Sequence, residues 1–244
     1  MSYLRIIPSM LLQNRKLVKG CNFQNYKNAG SPKTTIQAFD SQKSDEIILI
    51  DIDGYKNNKQ DFKELNNISK YSNTPLTFGG GLDNLDKIKL SFKNGADKIY
   101  LSSSIIENQI LIKETSRIYG NQSIIGGINI ISDGKDCKLY KNNQINPYDF
   151  SKKIQDSGVG EIKITFVNLE GTRKGMNLFL CEKFLKLLNI PIIFEGGIGS
   201  LEDIEKCFNI GVKNLALGTL IIFSDYNIFK IKQYLSNKKF NVRI

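Results

Sequence analysis

Two glycine pairs, each placed where a strand gives way to a helix, are the residues of this sequence best suited to chemistry. Gly80-Gly81 follows an apolar run at 76–78, and Gly196-Gly197 follows another at 191–194. Glycines at such a junction let backbone N–H groups approach an anion, and the helix start that follows adds partial positive charge. Each pair therefore predicts a phosphate site, whereas a tight turn without a ligand is the alternative for either pair taken alone.

The glycine pairs belong to an internal repeat, in which the second copy follows the first at a constant offset of about half the chain. Both copies continue into an amphipathic stretch and then a short apolar run that ends in small residues. These are Ser102 and Ser103 in the first copy and Gly218 and Thr219 in the second. The repeat predicts two phosphate sites and hence a ligand phosphorylated at both ends.

Eight short β-rich runs, most of them followed by helical patterns, must position these residues. The predicted strands are 4–7, 46–52, 76–78, 98–101, 123–131, 161–167, 191–194 and 214–217, and the clearest helical patterns are 83–93, 108–119 and 201–208. Alternating strands and helices predict a parallel sheet. With the repeat, they favour an α/β fold, a single (β/α)8 TIM barrel over residues 1–244 with half-barrels of about 1–122 and 123–244. A polar stretch at 135–146 predicts a hairpin or loop insertion at the barrel mouth.

Composition excludes several function classes. The four cysteines are scattered and histidine is absent, so no common zinc site is expected, nor any cofactor, and proton transfer must use other side chains. The net charge of +10 comes from lysines spread singly along the chain, which argues against nucleic acid and for a small anionic ligand. No apolar run approaches the ~18 residues of a membrane span, and the N-terminal stretch lacks a signal-peptide pattern, so a cytoplasmic location is expected.

The motifs resemble those of HisF, the cyclase subunit of imidazole glycerol phosphate synthase, in order and spacing along nearly the whole chain. They are Arg5-Ile6-Ile7, Leu17-Val18-Lys19-Gly20, Leu49-Ile50-Asp51, Phe78-Gly79-Gly80-Gly81, Gly95-Ala96-Asp97-Lys98, Glu170-Gly171-Thr172 and Asn241-Val242-Arg243. The resemblance implies that Gly171 joins the phosphate-binding residues and that Lys19 and Asp51 lie on the ligand side.

HisF proteins take ammonia from a HisH-like glutaminase docked at the barrel bottom, pass it through the barrel and use it to cleave and cyclise a bis-phosphorylated ribulosyl intermediate. The entrance is a ring of four charges. By resemblance, the ring here consists of Arg5, Glu46, Lys98 and Glu161, and Asp97 matches a glutaminase-docking residue. The resemblance thus implies a heterodimer with a glutaminase.

The sequence departs from HisF at both aspartates that serve as general acid and base in the cyclisation. Leu11 stands at the first position and Asn129 at the second. Leucine has no exchangeable proton, and an amide is not a useful base at pH 7. The catalytic candidates that remain are Lys19, Asp51 and Asn129 itself.

The opening of the chain, Arg5 to Leu12, instead resembles a HisF-like clade of glycosyl amidation-associated proteins (WbuZ type). The resemblance predicts a synthase subunit that supplies ammonia for amidation of a bacterial surface-polysaccharide sugar, directly or through a separate sugar amidotransferase. Two alternatives stay open. One is an active lyase-type cyclase in histidine biosynthesis, with Asp51, Asp53 or Glu170 in place of the lost acids, and the other is a stand-alone phosphosugar-binding barrel.

Overall fold

The computed structural model describes residues 3–244, which form eleven strands and eleven α-helices. The strands are β1 (Arg5–Gln13), β2 (Lys16–Cys21), β3 (Gln24–Gly30), β4 (Ile47–Asp51), β5 (Leu76–Gly79), β6 (Lys98–Leu101), β7 (Ile124–Asp133), β8 (Asp136–Leu139), β9 (Glu161–Phe166), β10 (Ile192–Glu195) and β11 (Asn214–Leu217). The helices are α1 (Pro32–Ser41), α2 (Ile52–Asn57), α3 (Phe62–Ser69), α4 (Leu85–Lys93), α5 (Ser103–Glu107), α6 (Ile110–Tyr119), α7 (Pro147–Ser157), α8 (Leu178–Leu187), α9 (Leu201–Asn209), α10 (Thr219–Ile222) and α11 (Ile228–Asn237).

Eight of the strands form a closed parallel barrel. Their order around it is β1, β4, β5, β6, β7, β9, β10 and β11. The barrel closes because β11 pairs in parallel with β1, with Arg5 opposite Asn214. Helices lie between consecutive barrel strands, so the predicted (β/α)8 fold is confirmed.

Hairpins at the carboxyl ends of two barrel strands extend the sheet. β1 runs on into β2 and β3, and β7 runs on into β8, all in antiparallel pairs. The second hairpin confirms the insertion predicted at 135–146. The hairpin of β2 and β3 was not predicted. β3 is polar and largely exposed, so it lacks the alternation of apolar and polar residues that indicates a strand.

The two halves of the barrel repeat in detail. Both glycine pairs have positive φ, at 112° and 66° for Gly80 and Gly81 and at 115° and 95° for Gly196 and Gly197. Asn84 caps α4 and Ser200 caps α9 at corresponding positions, each accepting a backbone N–H three residues on. The internal duplication read from the sequence is therefore present in the fold.

The barrel interior holds its own small core, separate from the larger one between strands and helices. It consists of the buried side chains Ile7, Ile48, Tyr100, Ile125, Ile193 and Ala216. Tyr100 is accommodated by a glycine on the next strand, since a Cβ on Gly127 would lie 2.2 Å from the Tyr100 Oη.

We expect Gly127→Ala to lower the free energy of unfolding by about 1–3 kcal/mol, because the added methyl overlaps the Tyr100 ring. In the Tyr100→Ala background the same substitution should cost much less, since the overlapping ring is gone. Urea denaturation of the four proteins of this cycle measures the difference. Additive effects would show that Tyr100 does not limit the space at Gly127.

Candidate active site

A cavity of about 430 Å³ lies at the carboxyl ends of the barrel strands, the face at which barrel enzymes place their sites. Its lining includes the first phosphate-loop residues, both positions where the aspartates are replaced, and four buried charged residues. These are Gly80, Gly81, Ser102, Ser103, Leu11, Asn129, Lys19, Lys163, Glu170 and Glu195. The first phosphate loop, Lys19 and both positions of the replaced aspartates thus meet in one cavity.

The first glycine pair borders the cavity and has little freedom to change. A Cβ on Gly80 would lie 2.0 Å from the backbone oxygen of Asp51, so only glycine fits. The Gln60 Nε2 donates to the carbonyl oxygens of Gly80 and Gly81, at 3.1 and 2.8 Å, and so holds both peptides in place. Gln60 was not predicted, because no motif marks a glutamine that serves a neighbouring loop.

The second set of predicted phosphate residues lies beside the cavity. Among the described residues, Gly196, Gly197, Gly218 and Thr219 are not part of its lining. Gly218 lies against Lys19, since a Cβ there would be 2.5 Å from the Lys19 Cε, and the buried Thr219 Oγ1 has no hydrogen-bond partner. Lys19 therefore lies between the cavity and the second set.

In the part of the chain that the structure describes, Gly171 is also not among the residues that line the cavity. Its φ is 77°, and a Cβ there would lie 2.5 Å from the backbone oxygen of Gly20. It thus allows the loop after β9 to pack closely on the first hairpin.

Four charges are buried together at the cavity floor. Lys19 forms an ion pair with Glu170, and its Nζ lies 3.8 Å from the Glu195 Oε1. Lys163 forms an ion pair with Glu195 and donates a 2.9 Å hydrogen bond to the Thr165 Oγ1. Two lysines thus balance two glutamates in a site that is almost closed to solvent.

Burial and attraction oppose each other at the Lys163–Glu195 pair. Burial alone would raise the pKa of Glu195, but the nearby ammonium groups of Lys163 and Lys19 hold that pKa below its usual range. Burial would lower the pKa of Lys163, yet the facing carboxylate of Glu195 keeps it above the ordinary lysine value. At neutral pH the pair is therefore an ammonium and a carboxylate.

Of the candidate carboxylates, Asp51 and Asp53 accept hydrogen bonds from backbone N–H groups. Asp51 caps α2 by accepting the Gly54 N–H at 2.8 Å and also accepts the Asp61 N–H at 2.9 Å. Burial raises the pKa of Asp51. Asp53 accepts the Asn14 N–H at 2.6 Å. Neither residue belongs to the cavity lining within the described residues, whereas Asn129 does, and its Nδ2 donates to the Ser102 Oγ at 3.2 Å.

At the opposite end of the barrel, the four residues of the predicted ring contact one another. Arg5 pairs with Glu161 and, at 3.2 Å, with Glu46. The Lys98 Nζ lies 2.8 Å from Glu46 and 2.5 Å from Glu161. The ring is electrically balanced, and each charge has two partners of opposite sign.

Neighbouring polar groups complete the hydrogen bonding of the ring. Thr77 donates to Glu46 at 2.6 Å, and the Arg5 Nε donates to Asn214 at 2.7 Å. The exposed Asp97 lies at the start of β6, next to Lys98, and its carboxylate accepts the Leu76 N–H at 2.8 Å.

The ring predicts a pH-dependent contribution to stability. Burial opposes ionisation of Glu161, but Arg5 and Lys98 hold its pKa below the usual range. The ionised carboxylate therefore contributes to the free energy of unfolding above the ordinary glutamate pKa of about 4.3. This contribution is lost as the pH falls below that value. We expect Glu161→Gln to destabilise the protein at pH 7, with the difference from wild type shrinking below about pH 4. Urea unfolding across this range measures it, and a difference independent of pH would contradict the account.

Comparison with known proteins agrees with this geometry. The sequence pattern of the family described as histidine biosynthesis protein matches residues 5–227. The chain belongs to this family. It is 32% identical to a Campylobacter jejuni protein that carries the provisional name imidazole glycerol phosphate synthase subunit hisF2. It is 32% and 30% identical to the HisF subunits of Prochlorococcus marinus and Petrotoga mobilis. Each match covers 98% of both chains.

Within this histidine biosynthesis family, the present chain is HisF-like, and the resemblance first read from its motifs is confirmed at that level. Leu11 and Asn129, where the resemblance places the cyclase aspartates, both border the cavity. The buried Lys163 and Glu195 were not predicted as site residues. Lys163 lies within a predicted strand, and Glu195 lies between a predicted strand and the second glycine pair. In both places, a charged residue among apolar neighbours was the signal that could have identified it.

Within residues 3–244, none of the helices combines the length and apolar character that a membrane crossing requires. The same part of the chain holds no group of three or more metal-ligating side chains placed to bind an ion.

Proposed function

We propose that this chain is the HisF-like synthase subunit of a glutamine amidotransferase pair, which receives ammonia from a HisH-like glutaminase and uses it in the mouth cavity. The observation that carries the proposal is the ring of Arg5, Glu46, Lys98 and Glu161 at the amino ends of the strands. Burying four charges in one place costs desolvation energy even when they are paired, so their presence here supports a functional role. Asp97 lies beside this ring and would contact the glutaminase.

The interior of the barrel suits the passage of ammonia as a neutral molecule. Between the ring and the cavity lie apolar side chains, among them Ile7, Ile48, Ile125 and Ile193, with the ring of Tyr100. A charged ammonium ion would lose its hydration there at a high cost, whereas neutral NH₃ would pay a much smaller penalty. Small movements of Tyr100 would open the route, since its side chain belongs both to this layer and to the cavity lining.

We expect the cavity at the carboxyl ends of the strands to bind a phosphorylated ligand. Gly80, Gly81, Ser102 and Ser103 would hold one phosphate group through backbone N–H groups and hydroxyls. The second set, Gly171, Gly196, Gly197, Gly218 and Thr219, would hold the other, with Lys19 between the two. The unpartnered Thr219 hydroxyl supports this assignment, because a phosphate oxygen would supply the missing hydrogen bond.

As acceptor of the ammonia we propose a sugar of a bacterial surface polysaccharide, reached directly or through a separate sugar amidotransferase. The support is the pair Leu11 and Asn129, which removes the acid and base of the cyclisation while the ring and the glycine loops are retained. The alternative is cyclisation in histidine biosynthesis. The names of the HisF relatives favour that alternative.

Co-purification and complementation separate these functions. We expect the tagged chain to retain a HisH-like glutaminase in a one-to-one complex and to fail to restore growth of a cyclase-deficient strain without histidine. Restored growth would establish the cyclase alternative. Absence of any complex, with the ring intact, would favour a stand-alone phosphosugar-binding barrel.

A further inference from the structure

Two charged residues at the cavity floor have no role in the function proposed so far. Lys163 and Glu195 lie on the adjacent strands β9 and β10 and form a direct ion pair. Lys163 is 1% exposed and Glu195 is 6% exposed, yet both belong to the cavity lining. They thus face the ligand space from a site otherwise closed to water.

The contacts around the pair fix both side chains. Lys163 donates to Glu195 and to Thr165, and its Nζ lies 5.2 Å from the centre of the Tyr100 ring. The Nζ of Lys19 lies 3.8 Å from the other carboxylate oxygen of Glu195. An ammonium group has three N–H donors, so Lys163 keeps one donor for a ligand.

Stability alone does not account for the pair. A buried ion pair usually gains little over apolar residues of the same volume, because both charges must be removed from water. Apolar residues of similar volume would avoid this desolvation cost. Buried ionisable residues that line a cavity and have a specific charge partner are instead candidates for a functional site.

We propose that Lys163 and Glu195 are the acid and base that act on the ammonia acceptor, in place of the aspartates absent at positions 11 and 129. The acceptor would be a phosphorylated compound with a carbonyl group at the cavity floor. This inference rests on the proposed delivery of ammonia to the cavity.

Lys163 and Glu195 together donate and accept every proton that is transferred in the step. The nitrogen of NH₃ forms a bond to the carbonyl carbon, and the C=O π electrons move to the oxygen, which takes a proton from the Lys163 ammonium. The nitrogen loses one proton to the Glu195 carboxylate, which leaves a carbinolamine. Transfer of a proton from Glu195 to Lys163 across their ion pair restores both groups, and loss of water then gives the imine.

The test uses ribulose 5-phosphate as the probe and ammonium chloride as the nitrogen source. Cyanoborohydride traps the imine as an amine, which mass spectrometry quantifies. Because ammonia is supplied directly, the assay does not depend on a glutaminase, and its result is separate from the co-purification test of the proposed function. Wild-type protein should accelerate trapping by about 100-fold or more over buffer.

Two variants separate proton transfer from structure. Lys163→Arg keeps the ion pair, but a guanidinium does not release a proton at neutral pH. Lys163→Met with Glu195→Gln removes both charges together without leaving one unpaired. Both should lower the trapping rate about 100-fold at saturating probe, with the Kd for ribulose 5-phosphate unchanged. Lys232→Met with Asp45→Asn removes an equally buried ion pair outside the cavity, also without leaving one charge unpaired, and should leave the rate unchanged.

Two results would overturn the proposal. One is a wild-type protein that gives no acceleration over buffer, and the other is a Lys163→Arg or double variant that keeps the wild-type rate. A variant that loses probe binding together with rate would assign the pair to ligand binding instead, which also contradicts a proton-transfer role.

Discussion

Lys19→Met is expected to lower the free energy of unfolding by about 3–5 kcal/mol, the largest effect on stability that we predict for one substitution in the site. The Lys19 ammonium is 3% exposed and pairs with a Glu170 side chain that is equally buried. Without Lys19, the buried Glu170 side chain would lose the cation with which it is paired. Chemical denaturation at pH 7 measures the loss.

Two further variants test this explanation. Lys19→Met with Glu170→Gln should recover a large part of the lost stability, because no unpaired charge remains. Lys186→Met, which removes a lysine from an exposed pair with Glu182, should change stability by less than about 1 kcal/mol. If the double variant is as unstable as the sum of its single variants, the ion pair is not the cause.

Ser103→Asp is expected to weaken the binding of ribulose 5-phosphate by about 100-fold. The new carboxylate would lie beside Gly80 and Gly81, where the phosphate is proposed to bind, and like charges about 4 Å apart repel by several kcal/mol at intermediate dielectric. Ser103 is exposed and is the first residue of α5, a position that favours a carboxylate, so the fold should be unaffected. Isothermal titration calorimetry measures the affinity.

The matched control carries the same chemical change elsewhere. Ser116→Asp adds a carboxylate to α6, outside the cavity lining, and should leave the affinity within about twofold of wild type. Equal weakening by both variants would attribute the effect to net charge, and no weakening by Ser103→Asp would place the phosphate away from the first loop.

The barrel could be predicted from the sequence because its signals are local and repeated. Apolar strand runs, amphipathic helices and the two glycine pairs recur in register, and β6 and β11 begin and end where expected. The first hairpin was missed because a polar, exposed ribbon such as β3 carries no apolar pattern. Its residues nevertheless help position Lys19, which lies on β2.

The site was harder to predict, because its central contacts join residues far apart in the chain. Lys163 pairs with Glu195 only because β9 and β10 are adjacent with a defined register. Neither residue belongs to a motif, and although each is a charge among apolar neighbours, the sequence does not show which residue of another strand it contacts. The motif residues, such as Gly80 and Lys98, could be assigned by resemblance because their positions are fixed relative to a recognisable pattern.

The most direct test of the account mixes the purified chain with its HisH-like glutaminase and follows two reactions together, glutamine hydrolysis and cleavage of the bis-phosphorylated ribulosyl intermediate. The account predicts that the chain stimulates glutamine hydrolysis, that Glu46→Gln in the ring reduces this coupling, and that the intermediate is not cleaved. Hydrolysis that is unchanged by the chain would contradict the role as a synthase subunit. Rapid cleavage would show that a cyclase functions with Leu11 and Asn129 at the aspartate positions.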